Sequence, residues 1–227
     1  MEGKCMCDFY DKLCSRFKDD NSRKYYLKIT KEEYKGATPK ASPFYLEVLS
    51  YKGDKYNDEF TRLVYDTLSA WGMNSRGAKL NKLSIIKKSL IDNKERLLSL
   101  KKFTIKDIEK NIRIQDTLKY LFNNLKLVAP DKTPLVTFSK TMHFYFNDLI
   151  VPMDRTYTAK FFEKNVPSKK EKQWEYFLNI EKAYSLFSNK IDIGIYIDKE
   201  RNYNIPKTID NMIIGYIKSI EMKQKIK

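Results

Sequence analysis

The chain has 227 residues, 42% hydrophobic and 32% charged, and its 44 Lys and Arg against 29 Asp and Glu leave a formal net charge of +15. That length buries a core without disulfide or metal staples, the composition excludes a disordered chain, and no run reaches the ~18 consecutive apolar residues of a membrane helix. The cationic excess favours an anionic partner, nucleic acid first and a membrane surface second, with a merely solvated basic surface as the competing explanation.

The N-terminus, MEGKCMCDFYDK, has no apolar signal-peptide core, so a cytoplasmic location is expected. Cys5, Cys7 and Cys14 are an odd number crowded at one end, which makes no disulfide framework. Three thiolates with a fourth ligand are one reading. C-x-C with a third cysteine seven residues on matches no metal-site spacing, so reduced thiols are expected, with no metal and no cofactor. A single histidine excludes a histidine-rich metal site.

Phe9, Leu13 and Phe17 recur at intervals of four and predict a short helix over 8–17. From 18 to 55 the pattern is least regular. Residues 25–29 and 44–50 place aromatic and β-branched side chains between Pro39, Pro43 and Gly53, so strand and helix both stay open, with helix favoured for the second. From Asn57 the period is clear. Phe60, Leu63, Val64, Thr67, Leu68 and Trp71 form a helical stripe, capped by Asn57 or Asp58 and ended by Gly72. The segment from Met73 leads into a helix carrying Leu80, Leu83, Ile86 and Leu90. A further helix covers 93–101, Thr104 opens another with Ile105 and Ile108, and Ile112, Ile114, Leu118, Leu121, Phe122 and Leu125 carry the pattern to about 127.

The stretch that organises the chain runs from Pro134 to Glu163. Leu135, Phe138, Met142, Tyr145 and Leu149 define an apolar stripe, with Lys140, His143, Phe144 and Asn147 on a different face. Lys140 and His143 are helix-surface neighbours. Pro152 closes a turn, and Asp154 is placed to cap a second helix whose Tyr157, Phe161 and Phe162 point inward. Capping alone explains Asp154, and solvation alone explains a lysine in so basic a chain; the combination marks this as the candidate reactive centre.

After it, Ser168 is the expected cap of a long helix through Trp174, Phe177, Leu178, Ala183, Tyr184 and Phe187. Residues 191–197 alternate as the best strand signal, without a visible partner strand. Pro206 starts the last helix, where Ile209, Met212, Ile213, Tyr216, Ile217 and Ile220 form the buried stripe. Gly215 in its interior costs about 1 kcal/mol relative to alanine, which implies close backbone packing. The expected organisation is one all-α domain over 1–227, with a small lobe completed by both chain ends as an option and at most a minor strand element.

Polar residues sit between buried ones in WGMNSR, SKTMHFYFNDLIVPMDRTYT and KTIDNMIIGY. Asn74, Arg76, His143, Asp154, Arg155, Asp210 and Asn211 are candidates to line one polar pocket; turn and cap chemistry at three helix ends is the competing explanation. At these stretches the sequence resembles a prokaryotic family of uncharacterised all-helical proteins sharing W-G-M-N-x-R, S-K-x-x-H followed by P-M-D-R-x-Y-T, and K-x-x-D-N-x-I-x-G-Y. That resemblance covers about residues 60–216 and brings no activity with it.

More distantly, the helix, turn and aspartate are similar to the second half of the helix-hairpin-helix DNA glycosylases, especially the archaeal 8-oxoguanine glycosylases with their degenerate hairpin. In that superfamily a lysine on the hairpin's second helix attacks the sugar C1′, and an aspartate after the next turn stabilises the developing charge. The matching positions are Lys140 and Asp154. The chain departs from the pattern: no L-P-G-x-G precedes Lys140, the Lys-to-Asp separation is shorter, and there is no four-cysteine iron-sulfur cluster. The resemblance therefore implies the fold more strongly than the activity.

A nucleophilic lysine needs its ammonium pKa lowered by desolvation or nearby positive charge. Phe138, Phe144 and Phe146 are candidates for the first, and protonated His143 or Arg155 for the second. The resulting expectation is a nucleic-acid-binding, glycosylase-like helical protein with base-excision or lyase chemistry through Lys140 and Asp154. Asn74, Arg76, His143, Arg155, Asp210 and Asn211 are its substrate contacts. The alternative is a non-catalytic nucleic-acid-binding or structural protein.

Overall fold

The computed structural model describes residues 2–33, 42–74, 79–198 and 200–225. Among these the secondary structure is eleven α-helices, two 3-10 turns and one isolated antiparallel bridge between Leu80 and Val128. The helices are α1 (Glu2–Arg16), α2 (Asp20–Glu33), α3 (Ser42–Ser50), α4 (Asp58–Ala70), α5 (Leu83–Asp92), α6 (Lys94–Leu100), α7 (Ile112–Asn124), α8 (Leu135–Tyr145), α9 (Arg155–Phe162), α10 (Lys170–Lys190) and α11 (Ile205–Lys225). No described helix is long and apolar enough to cross a membrane.

The periodic stripes become one continuous core. Phe60, Leu68, Ile86, Leu118, Phe138, Phe177 and Ile209 are among its buried members. Local chemistry sets several boundaries. The Asn57 side chain accepts from the Phe60 N–H and caps α4, and Gly72, at φ 77°, turns the chain after it, a conformation glycine adopts without steric penalty. Thr104 and Asp107 close a capping box over the 3-10 turn Ile105–Asp107. Chain ends pack on chain ends, α1 against α10 and α2 against α11. At the second contact a Cβ added to Gly215 would lie 1.9 Å from the Tyr26 carbonyl oxygen, so α2 lies directly on the backbone of α11.

Helix α8 is central. Every one of its residues except Val136 is buried, so the expected apolar stripe with a separate polar face is replaced by burial all round, with α4 and α10 packed against it. The helix also stops at Tyr145, which leaves Leu149 buried beyond its end.

Three local expectations are corrected. Residues 191–197 form no strand: with no neighbouring strand among the described residues to take backbone hydrogen bonds, Ile193–Tyr196 winds into a 3-10 turn in which the Asp192 side chain accepts from the Gly194 N–H. Leu80 precedes α5 and sits in the bridge to Val128 rather than in a helix. The long helix starts after Lys169, with no side-chain cap, not after Ser168. Residues 25–29, open to either structure from their pattern, lie within α2.

Candidate functional site

Lys140 lies midway along α8, and the turn that follows the helix brings Asp154 back towards it. Side chains from two helices hold that turn. His143 Nδ1–H donates to the Ile150 carbonyl at 2.8 Å, the Met153 N–H donates to Ser139 Oγ at 3.1 Å, and the Val151 N–H donates to Glu181 Oε2 at 3.4 Å. Ser139 and His143 thus flank Lys140 in sequence and tie down the backbone leading to Asp154. The aspartate divides its oxygens between two jobs. Oδ1 accepts from the Thr156 and Tyr157 N–H groups and caps α9; Oδ2 lies 3.9 Å from Lys140 Nζ. The lysine side chain is 10% exposed and the aspartate 37%, so the pair sits at the boundary between core and solvent.

A second ion pair adjoins the first. Lys207 Nζ lies 2.5 Å from Asp210 Oδ2, one turn apart on α11. Burial pushes the Asp210 carboxyl above the ordinary range, Lys207 and Lys140 pull it down, and Asp154 pushes it further up, so Asp210 feels all three of these charges.

Aromatic rings wall this cluster. Lys140 Nζ is 5.1 Å from the Trp71 ring centroid, within cation–π range. Trp71 stacks on Tyr45 at 5.7 Å, Tyr45 on His143 at 5.9 Å and 5°, and Lys207 Nζ lies 5.8 Å over Tyr45. His143 is wholly buried, its Nε2 accepts from the Tyr45 hydroxyl at 2.8 Å, and with Nδ1–H donating, the ring is neutral. Burial first, then the charges of Lys207 and Lys55, hold its pKa at about 3 against the opposing Ile150 hydrogen bond. The expected protonated histidine beside Lys140 is therefore corrected: His143 braces the turn and supplies no positive charge near neutral pH.

The other predicted residues separate. Asp210 joins Lys140 and Asp154. Asn74 serves the turn after α4, accepting from the Leu80 N–H and donating to Ser69 Oγ. Asn211 donates to the Arg201 carbonyl and to Asn202 Oδ1, anchoring the loop before α11. Arg155 is exposed at the first position of α9. Arg76 lies outside the described residues, as does the Cys5 side chain. Cys7 and Cys14 are free thiols, and among the described residues no group of three or more His, Cys, Asp or Glu is placed to hold a metal.

Sequence reasoning missed Lys207, Trp71 and Tyr45 as neighbours of Lys140. Lys207 had a usable signal, its three-residue spacing from Asp210 on a helix face. Tyr45 had none, since it arrives from 98 residues before His143.

The arrangement offers an amine at a carboxylate, a second carboxylate held by a second amine, and aromatic rings alongside. Comparison with known proteins finds no matching family model, no matching curated protein and no matching solved structure.

Proposed function

We propose that this is a nucleic-acid-binding protein with a DNA glycosylase-like helical fold, in which Lys140 attacks sugar C1′ and Asp154 stabilises the charge that develops there. The observation that carries the reading is the juxtaposition of Lys140 Nζ and Asp154 Oδ2 at 3.9 Å, on a chain of net charge +15. The cap bonds on Oδ1 aim the other oxygen at the amine, which is the preorganisation that charge stabilisation requires.

The Lys140 ammonium first loses a proton to water, so that Asp154 stays ionised beside the amine. The amine forms a bond to C1′ as the bond to the base breaks, and the base leaves with that electron pair and takes up the proton the amine sheds. The nitrogen lone pair then opens the sugar ring at O4′, which takes back a proton from water, and a protonated Schiff base remains. A base extruded from the duplex would bring C1′ to a lysine inside such a site.

Borohydride tests this directly, because it reduces the Schiff base to a stable protein–DNA link. Duplexes carrying 8-oxoguanine, uracil or an abasic site are the substrates. Trapping should vanish in Lys140→Gln, and Asp154→Asn should slow it by about two orders of magnitude or more while keeping the cap. Trapping that persists in Lys140→Gln overturns the assignment.

A second reading rests on the low exposure of Lys140 and its contacts with Trp71 and Asp154. In that reading the pair is a structural ion pair within a non-catalytic nucleic-acid-binding protein. It predicts binding without trapping on any lesion.

A further inference from the structure

A groove of about 690 Å³ opens between α5, the end of α7, the loop before α8 and the start of α10. Its charged lining is Lys88, Lys126, Lys132, Lys170 and Asp92, a net charge of +3. Asp92 is 3.5 Å from Lys88, Lys132 pairs with Asp131 at 2.9 Å, and Lys170 donates to the Asn123 carbonyl at 3.2 Å. Lys88, Lys126 and Lys170 are exposed and Lys132 is half-buried, and Ile85, Val128, Pro130 and Pro134 give the groove its apolar lining.

Among the described residues no aromatic side chain lines this groove. Base stacking on aromatic rings is the usual device for holding unpaired bases, whereas the lysines and aliphatic side chains described in this lining suit the sugar–phosphate chain. Trp71 and Tyr45 lie instead beside the Lys140 cluster. The two places are close: Pro134 lines the groove and immediately precedes α8, and the six residues to Lys140 span about 9 Å of helix, or roughly three nucleotides at the ~3.4 Å spacing of one B-form strand.

We infer that this groove is a sequence-independent binding track for the phosphodiester backbone of the strand whose reacting nucleotide sits at Lys140, engaging phosphates about three or more nucleotides away. The inference rests on the nucleic-acid reading of the Lys140 site but not on its chemistry. Neutralised phosphates release counterions, so each contact contributes about 0.9 to the slope of log affinity against log salt.

The test measures binding of the full chain to a duplex with a tetrahydrofuran abasic analogue, which cannot form a Schiff base. Lys88→Gln, Lys126→Gln, Lys132→Gln and Lys170→Gln together should lower the salt slope by about 2 to 4 units and the affinity at low salt by about tenfold or more. The control replaces Lys24, Lys28, Lys223 and Lys225, on α2 and α11, by Gln and should change both far less. Neutral methylphosphonate linkages three or more nucleotides from the abasic position should weaken the wild type and leave the groove variant unaffected. Equal losses in groove variant and control, with both folded by circular dichroism, overturn the track. A folded wild type that binds no duplex even at low salt overturns the nucleic-acid reading itself, and binding with no borohydride trapping on any lesion removes only the lysine chemistry.

Discussion

Replacing Gly215 by alanine sets two effects of opposite sign against each other. Helix propensity alone predicts that the change stabilises a helix interior by about 1 kcal/mol. Packing predicts the reverse, because the new Cβ would lie 1.9 Å from the Tyr26 carbonyl oxygen, 2.6 Å from its carbon and 2.7 Å from Thr30 Oγ1. Van der Waals contact needs about 3.5 Å, so α2 and α11 must separate by more than 1 Å. Two of the three obstructing atoms are backbone, and no rotamer change relieves them. The separation also strains the hydrogen bond from Thr30 Oγ1 to the Asn211 carbonyl, 2.6 Å long. A penalty of about 3 kcal/mol, the upper end of the usual range for overpacking, outweighs the propensity gain and leaves a net loss of about 2 kcal/mol. For a chain of this size that lowers Tm by about 4–8 °C. Scanning calorimetry of Gly215→Ala beside the wild type reads it, and a Tm equal to or above the wild type refutes the close approach of α2 and α11.

The remaining predictions concern the groups that hold the site. His143 has a folded pKa of about 3 against about 6.5 unfolded, so the unfolded chain binds a proton the fold refuses, and stability falls as pH drops from about 6.5 towards 3. His143→Gln lacks this slope; urea denaturation should show the stability gap between wild type and variant shrinking by about 2 kcal/mol from pH 7 to pH 5, and a constant gap contradicts the buried neutral ring. Glu181 has the opposite sign: burial raises its folded pKa well above the ordinary range, so its contribution is present below the unfolded value near 4.3 and is lost as pH rises. Glu181→Gln should therefore gain stability relative to wild type between pH 5 and pH 8 in the same titration, and a relative loss over that interval counts against it. Asp154→Ala should cost about 1 kcal/mol as a lost cap while Asp154→Asn costs little, measured at neutral pH; equal losses would separate Asp154 from the start of α9.

What could be read in advance follows from how local each signal is. The path from α8 through the turn to α9 was legible because its determinants are near neighbours: a period of three and four, Pro152, and an aspartate whose cap bonds reach only to Thr156 and Tyr157. Gly215 was legible for a related reason, since an unfavourable residue in a helix interior implies a contact that needs it. Residues 191–197 misled because alternation is a property of the segment, whereas a strand requires a partner, and none lies beside it among the described residues. His143 misled in the same way. Its spacing from Lys140 was right, but its protonation state is set by burial and by Tyr45 from a distant helix. The all-round burial of α8 was hidden because Ser139 and His143 look like surface residues until the turn they brace is in place.

The charge balance bears on how binding and chemistry are divided. Lys140 and Lys207 face Asp154 and Asp210, so the cluster beside the aromatic rings is close to neutral even though the chain carries +15. A neutral cluster contributes little to the long-range attraction of a polyanion, so the proposed attraction of nucleic acid has to come from cations elsewhere, of which the groove before α8 is one concentration. Under the proposed reading such a division suits catalysis by differential binding: contacts remote from the reacting atoms would hold the strand, and Lys140 and Asp154 would be left to act on charge that develops only in the transition state. It also accounts for Asp154 remaining a cap. Fixing Oδ1 with two backbone N–H groups removes the freedom of the carboxylate to follow Lys140, so the distance between amine and Oδ2 is set by the turn and its braces, Ser139, His143 and Glu181. Loosening a brace should then slow trapping without weakening duplex binding, whereas removing groove lysines should weaken binding and leave the trapping rate at saturating DNA unchanged.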